Sequence, residues 1–339
     1  MNNLNILFAL LASFLPAFGW LLLIFYFRKR EKKKLQVLTF LIGALSVMAV
    51  FAIQSLLLTS SDYNLEHLLT DTFKSSTLFF MIFFGVMGSV EEICKYLVVR
   101  ILDKKFSLIQ TINISIIFSV TAALGFAFLE NFIYFYTLFS EGLLDDFYTT
   151  FIFRAIYTTL GHVLFAAIFG YYYGVSKFSQ TILTQEKILG KVFKITKIIE
   201  KVTHGTLHEI YQQQKIIKGL LLASIFHMFF NFFIQWQQMW LVFLLLTAMF
   251  LYVAYLFQTK TGHLVFLETR AKSPFQLVPS NQLLLGKLLD MWHVQKYDEV
   301  EKICNDILLI DPLNDTVKLF RAQAQDKKSI QKVTKIFTS

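Results

Sequence analysis

The segment Gly88-Ser-Val-Glu-Glu-Ile-Cys-Lys95 places three charged residues inside an apolar stretch that runs from Ser75 to Leu102. On a helix, Lys95 follows Glu91 by four residues and Glu92 by three, so its ammonium group can reach either carboxylate. The adjacent glutamates point about 100° apart and therefore cannot share one role. Because ionisable side chains are costly inside a membrane, the cluster indicates either a functional site or an ion pair that locks two helices together.

The composition identifies a membrane protein. Hydrophobic residues make up 55% of the 339 residues and charged residues only 16%, whereas a soluble domain is about one quarter charged. The net charge of +9 does not indicate nucleic acid binding, because the basic residues cluster next to apolar segments, where they set membrane topology. Two cysteines, Cys94 and Cys304, exclude a disulfide framework.

The apolar segments predict an all-α polytopic membrane bundle of about seven spans. The basic run Arg28–Lys34 and the lysine-rich loop 177–218 both fall on the cytoplasmic side under the positive-inside rule. This places the N-terminus outside and the C-terminus in the cytoplasm. We expect the protein in the inner membrane of the cell.

The lysine-rich loop also shows the spacing of an amphipathic helix on the membrane surface. The long fourth segment predicts either an interfacial end or a break near Gly125. The predicted spans are residues 5–27, 35–59, 75–102, 107–139, 148–176, 219–236 and 239–258.

A different composition begins after the last span. Residues 1–258 form the predicted transmembrane domain, residues 259–282 a linker with two prolines, and residues 283–339 a cytoplasmic helical hairpin. The run Ile307-Leu-Leu-Ile-Asp-Pro312 resembles the end of a tetratricopeptide unit. A single repeat buries its apolar face poorly, so we expect a protein partner at this hairpin.

Four polar motifs lie inside four separate spans. Each alone has a structural explanation; His162, for example, precedes Gly170 in a small-residue pattern typical of close helix contacts. Together they must find hydrogen-bond partners away from lipid, so we expect them to meet in one water-accessible pocket. The motifs are Glu91-Glu92-x-x-Lys95, Phe126-x-x-x-Glu130-Asn131, His162 with Gly170, and His227-x-x-x-Asn231.

In this order the motifs resemble the PrsW family of polytopic intramembrane proteases, distant relatives of the CAAX prenyl-proteases and of bacteriocin-processing proteins. The resemblance extends from about Phe73 to Trp236. It implies an intramembrane endopeptidase that cuts a single-span or membrane-associated protein of the anti-sigma-factor type.

The resemblance also implies roles for the site residues. Glu91 is the expected base that activates water, with Glu92 and Lys95 holding it. His227 and Asn231 are expected to stabilise the oxyanion, as in the CAAX relatives, and His162 to orient the water. Those relatives carry histidine where this chain has Glu130, so the partner of the water stays open. The expected supporting residues are Lys95, Phe126, Asn131 and Gly170.

We favour metal-free glutamate chemistry, because no His-Glu-x-x-His pair places two ligands on one helix. The alternative is a Zn²⁺ site with an open position. Its expected ligands are Glu92, Glu130, His162 and His227.

Two other functions fit part of the sequence. Intramembrane Glu, Lys and His also occur in transporters and proton relays, although the chain shows no inverted repeats. A non-catalytic membrane scaffold that acts through its C-terminal hairpin is the other alternative.

Overall fold

The structure is a computed structural model that describes residues 3–27, 33–59, 64–109, 112–143, 147–179, 206–268, 291–292 and 294–310, with Leu288 and several residues between 317 and 328. All regular secondary structure in these ranges is helical. The helices are α1 (Asn3–Phe27), α2 (Lys33–Thr59), α3 (Leu65–Thr72), α4 (Ser76–Phe106), α5 (Ile112–Glu141), α6 (Phe147–Phe153), α7 (Thr159–Lys177), α8 (Leu207–Gln235), α9 (Met239–Glu268) and α10 (Tyr297–Ile310).

Seven helical segments among the described residues are long and apolar enough to cross a membrane. Six are α1, α2, α4, α5, α8 and α9, and the seventh is formed by α6 and α7 together. This confirms the predicted all-α polytopic bundle. Contacts between Cα atoms divide the chain into two units, residues 1–177 with 211–258, and residues 178–210 with 259–339.

Helix α5 is the centre of the first unit. In the most apolar 18-residue stretch of α5, 72% of the residues are buried. In the corresponding stretches of α1, α2, α4, α8 and α9, only 22–28% are buried. Apolar side chains on the outward faces of those five helices are exposed, as expected of surfaces that contact lipid. The four helices α1, α2, α4 and α7 pack directly against α5.

Two glycines let α2 and α5 approach closely. A Cβ atom at Gly43 would overlap the backbone of Ala122, and one at Gly125 would overlap the backbone of Phe40. The predicted break near Gly125 is wrong, because α5 continues without interruption from Ile112 to Glu141. Gly125 serves helix packing instead: its missing side chain leaves room for the backbone of α2.

The fifth span contains a π turn. Residues Arg154–Thr158 form a π-helical segment that joins α6 to α7. A π turn inserts about one extra residue into the helix and thereby rotates the side chains on either side of it relative to each other.

Several boundaries differ from the predicted ones. Helix α8 begins at Leu207, within the predicted surface loop, and α9 continues to Glu268, within the predicted linker. Helix α3 lies in the predicted exterior loop, where Asn64 accepts a hydrogen bond from the backbone N–H of His67 and caps it. The amphipathic helix predicted for the lysine-rich loop and the two linker prolines lie outside the described residues.

The second unit has a small apolar core of its own around α10. Trp292 packs edge-on against both Tyr297 and Phe320. The tetratricopeptide likeness of this region stays a prediction. The buried residues of this core are Leu288, Val300, Ile303, Cys304, Ile307, Val317, Phe320 and Ala324.

Candidate functional site

Five of the predicted site residues line one cavity of about 700 Å³. They come from four helices, α4, α5, α7 and α8, so the fold brings together side chains that are up to 140 positions apart in the sequence. The remaining walls are mostly aromatic and aliphatic. The five residues are Glu91, Glu130, His162, His227 and Asn231.

Lys95 connects the polar side chains behind the cavity. Its Nζ atom donates to Glu92 Oε1 at 2.7 Å and to His162 Nδ1 at 2.9 Å, and it lies 3.8 Å from Glu91 Oε2. The ammonium group also lies 4.3 Å from the centre of the Phe126 ring. Lys95 is only 4% exposed, so these contacts replace the water that would otherwise surround its charge.

The hydrogen bonds of Lys95 determine the tautomer of His162. An ammonium group can only donate, so His162 Nδ1 must accept and carries no proton. The other ring nitrogen, Nε2, therefore carries the proton and donates to Glu130 Oε2 at 3.0 Å. His162 is thus a neutral imidazole held between a cation and a carboxylate.

His227 is oriented by Glu92. Its Nδ1 atom lies 2.9 Å from Glu92 Oε1, and because a carboxylate accepts, Nδ1 donates. Its Nε2 atom then faces Glu91 Oε2 at 3.6 Å, too far for a hydrogen bond. Gly88 gives the ring room, since a Cβ atom there would lie 3.3 Å from His227 Cγ. Phe165 stacks on the ring with the two ring centres 4.8 Å apart.

The two glutamates of the first motif have different environments. Glu92 does not belong to the cavity lining, is 3% exposed, and accepts from both Lys95 and His227. Glu91 lines the cavity, and its Oε2 atom is buried without a hydrogen-bond partner among the described residues. Glu91 is therefore the glutamate of the pair whose side chain reaches the cavity, and Glu92 is a positioning residue.

The supporting residues lie behind or beside the cavity. Phe126 packs against the His162 ring with the centres 5.6 Å apart. Gly170 lies at the contact of α5 and α7, where Ser115 Oγ donates to its carbonyl oxygen at 2.6 Å. A Cβ atom at Gly170 would come within 2.8 Å of the Cα atom of Ile116. Gly170 thus has a packing role and does not take part in the chemistry.

Arg154 is a site residue that the sequence analysis missed. Its Nε atom donates to Asn131 Oδ1 at 2.6 Å, and its Nη2 atom lies 3.1 Å from Glu130 Oε1. The guanidinium group lies over the ring of Tyr134, 4.4 Å from its centre. The signal in the sequence was a lone arginine inside the apolar span 148–176, since intramembrane charges generally mark functional sites.

The side chains present do not fit a metal ion as they are arranged. Carboxylates and imidazoles are suitable zinc ligands in kind. However, within the part of the chain that the structure describes, no three His, Cys, Asp or Glu side chains are placed to hold an ion together. Of the four expected ligands, Glu92 and His162 both contact Lys95, whose positive charge opposes a cation beside it.

The family comparison covers this whole constellation. A model described as PrsW family intramembrane metalloprotease matches residues 31–257, more than half of the chain, including all four motifs. Comparison with curated proteins gives no match, and comparison with solved structures gives none either. With seven apolar helices and a cavity lined by motif residues, this chain belongs to the PrsW family of intramembrane proteases.

Proposed function

We propose that this protein hydrolyses a peptide bond of a membrane protein, with Glu91 as the base that activates water. The single observation that carries the proposal is that the Glu91 side chain, whose Oε2 atom makes no hydrogen bond among the described residues, lines a cavity shared with Glu130, His162 and His227. Family membership supports the intramembrane peptidase activity itself. The identity of the base and the roles below are proposals from the geometry.

The charges of the cluster support one protonation pattern. Three carboxylates, of Glu91, Glu92 and Glu130, form ion pairs with two cations, Lys95 and Arg154. His162 is neutral by its hydrogen bonds, so one negative charge is left uncompensated in a buried site, which is costly. One proton on the pair formed by Glu91 and His227 makes the cluster neutral. The reaction that we propose needs Glu91 as a carboxylate, with that proton on His227.

The reaction then follows from the positions of these groups. Glu91 takes a proton from a water molecule, and the water oxygen bonds to the carbonyl carbon of the substrate. The carbonyl oxygen becomes an oxyanion, which the Nε2 proton of His227 and the amide of Asn231 stabilise. Glu91 then returns its proton to the nitrogen of the leaving amine as the C–N bond breaks. Asn231 lines the same cavity one helical turn after His227.

His162 and Lys95 hold this arrangement in place. Lys95 connects Glu92 to His162, and Glu92 in turn orients His227. The two histidines therefore belong to one hydrogen-bonded chain. The apolar walls around them, including Phe165 and Phe230, lower the local polarity and strengthen these interactions. Preorganised donors of this kind need no rearrangement when charge develops.

The family description includes a metal, and the proposed steps use only side chains of this chain. Zn²⁺ bound by these residues would supply a polarised water or carbonyl oxygen. If the four expected ligands bound Zn²⁺, Glu92 and His162 would have to give up their hydrogen bonds with Lys95. Sensitivity of turnover to a chelator therefore distinguishes the two forms of catalysis.

For the substrate we propose a single-span or membrane-associated protein of the anti-sigma-factor type, as the family resemblance implies. A cavity of about 700 Å³ with largely apolar walls has the size of a small-ligand pocket and accommodates a few residues of an unfolded chain. We further propose that the N-terminus lies outside and the C-terminus in the cytoplasm.

The test is a cleavage assay with the purified full-length protein in detergent. A single-span model substrate is incubated with the enzyme, with and without a chelator, and products are resolved by mass spectrometry. We expect cleavage at a defined bond in both conditions. Cleavage that stops with the chelator and returns with Zn²⁺ would replace the metal-free mechanism. Absence of cleavage for a panel of such substrates would contradict the peptidase proposal.

A further inference from the structure

Arg154 has no place in the proposed hydrolysis, yet it contacts both residues of the second motif. We propose that Arg154 is a positioning residue: it holds Glu130 and Asn131 in place and, through Glu130, fixes the orientation of His162. The inference rests on the proposed function, because its readout is the rate of that reaction. Nothing in the family match assigns a role to this residue.

The guanidinium group contacts two consecutive side chains of α5 at once. Nε donates to Asn131 Oδ1 at 2.6 Å, and Nη2 pairs with Glu130 Oε1 at 3.1 Å. The other carboxylate oxygen of Glu130, Oε2, accepts from His162 at 3.0 Å. Glu130 therefore has one oxygen on Arg154 and one on His162. A planar guanidinium with several donors suits this double contact better than an ammonium group does.

The π turn explains how Arg154 reaches Glu130 from the same span as His162. His162 follows Arg154 by eight positions, which on a regular α-helix places the two about 80° apart around the axis. The π turn at Arg154–Thr158 absorbs about one residue, so the two are placed as if seven apart, about 20° from each other. Both side chains then point to the same neighbour on α5.

Thr159 closes this arrangement. Its Oγ1 atom donates to the carbonyl oxygen of Arg154 at 2.9 Å, five residues back, and accepts from Asn131 Nδ2 at 3.5 Å. Thr159 is fully buried, and Asn131 is 1% exposed. The backbone of the π turn and the guanidinium group of its first residue are thus both tied to Asn131.

The ring of contacts has a consequence for Glu130. Its side chain is 28% exposed, which leaves it room to turn towards the cavity. Without Arg154, the Glu130 carboxylate loses its ion pair and keeps only its contact with His162. The acceptor for His162 Nε2 is then no longer held in one position. A displacement of about 1 Å at a reacting group can lower turnover about 100-fold.

The experiment is a double-mutant cycle in the full-length enzyme on the model substrate. We expect Arg154→Met to lower kcat by about 10- to 100-fold with KM nearly unchanged. In a Glu130→Gln background the same substitution should cost less than about threefold, because Arg154 acts through Glu130. Arg154→Lys keeps the charge but loses the Asn131 contact, and should recover part of the rate.

The matched control is Arg100→Met, which removes an exposed arginine of α4 that lies over Tyr96 and outside the cavity. It should leave kcat and KM unchanged. Elution as a single species in detergent checks folding of every variant. If Arg154→Met does not fold, Thr159→Val replaces it and should lower kcat about 3- to 10-fold at constant KM.

Three results would overturn the proposal. A raised KM with unchanged kcat would mean that Arg154 binds substrate directly. Equal costs of Arg154→Met with and without Glu130 would mean that it does not act through Glu130. An unchanged rate in folded Arg154→Met, or in Thr159→Val where the former does not fold, would mean that it has no role. A fully active Glu91→Gln enzyme, in contrast, would contradict the proposed function and not this one.

Discussion

At the scale of residues, the site is a chain of directed hydrogen bonds whose donors and acceptors are determined by Lys95. Its ammonium group can only donate, which gives His162 one tautomer. Glu92 can only accept as a carboxylate, so Nδ1 of His227 carries a proton. The contacts with Lys95 and Glu92 thus determine the state of one ring nitrogen in each histidine. Within this cluster, Glu91 Oε2 is the carboxylate oxygen that is buried without a hydrogen bond among the described residues.

The first prediction concerns Lys95. Lys95→Met should abolish measurable cleavage and lower the free energy of unfolding by about 3–5 kcal/mol, because a buried carboxylate loses its cation. Thermal unfolding in detergent measures the second effect, and the cleavage assay the first. The matched control is Lys105→Met, an exposed lysine near the end of the same helix, which should change neither. A stable and active Lys95→Met protein would contradict the role of Lys95.

Part of this site was predictable from single residues. The sequence indicated that polar side chains from four spans meet, because each needs partners away from lipid. It did not tell which of Glu91 and Glu92 faces the cavity, since either spacing to Lys95 permits a contact. That choice depends on two contacts with α8. Gly88 leaves room for the His227 ring, and Glu92 Oε1 accepts a hydrogen bond from His227 Nδ1. Tertiary packing determines both.

At the scale of secondary structure, the close crossing of α2 and α5 supports the site from behind. Phe126, which packs on Lys95 and His162, directly follows Gly125, whose lack of a side chain lets the α2 backbone approach. Glu130 follows on the same helix. The position of α5 against α2 therefore determines where the second motif meets the first.

The second prediction tests this crossing. Gly125→Ala places a methyl group against the backbone carbonyl of Phe40, which cannot move aside as a flexible side chain would. We expect a loss of stability of about 1–3 kcal/mol. Gly19→Ala is the matched control, because a Cβ atom there meets no neighbour within 4 Å. Thermal unfolding of the two variants in the same detergent gives the comparison. Equal stabilities would show that the crossing tolerates a side chain.

The π turn shows why the geometry of the helices was harder to predict from the sequence than the polar motifs. The apolar composition predicted a membrane-spanning helix across residues 148–176, and that segment is helical. The insertion at Arg154–Thr158 is stabilised by Thr159 and Asn131. Asn131 lies on another helix, so no local pattern reveals the insertion. The role of Gly125 was not predictable for a similar reason: it lies against the backbone of α2, which the sequence of α5 does not show.

At the scale of the whole molecule, the third prediction is the topology. Basic residues flank one set of the predicted loops, and acidic or uncharged residues the other. Reporter fusions at Glu141 and Ser329 should therefore report opposite sides of the membrane, with Ser329 in the cytoplasm. Reports from the same side would contradict the count of seven crossings.

The fourth prediction concerns the C-terminal region. The family match ends at residue 257, and every site residue precedes it. Helix α9, however, continues to Glu268, so a truncation must retain that residue to keep the helix intact. A protein that ends after Glu268 should still cleave the model substrate, with loss confined to substrate choice. Loss of turnover in a folded truncation would give the C-terminal region a catalytic role.

The most direct test of the central claim is the cleavage rate of Glu91→Gln. Glutamine keeps the volume of the side chain and one acceptor oxygen, so folding should survive, but it cannot take a proton from water. Positioned general bases are worth about 10²–10⁴-fold in rate, and we predict a loss at the upper end of that range. The same rate as the unaltered protein, in a Glu91→Gln variant that elutes as a folded species, would contradict the account and leave Glu91 as part of a structural ion pair.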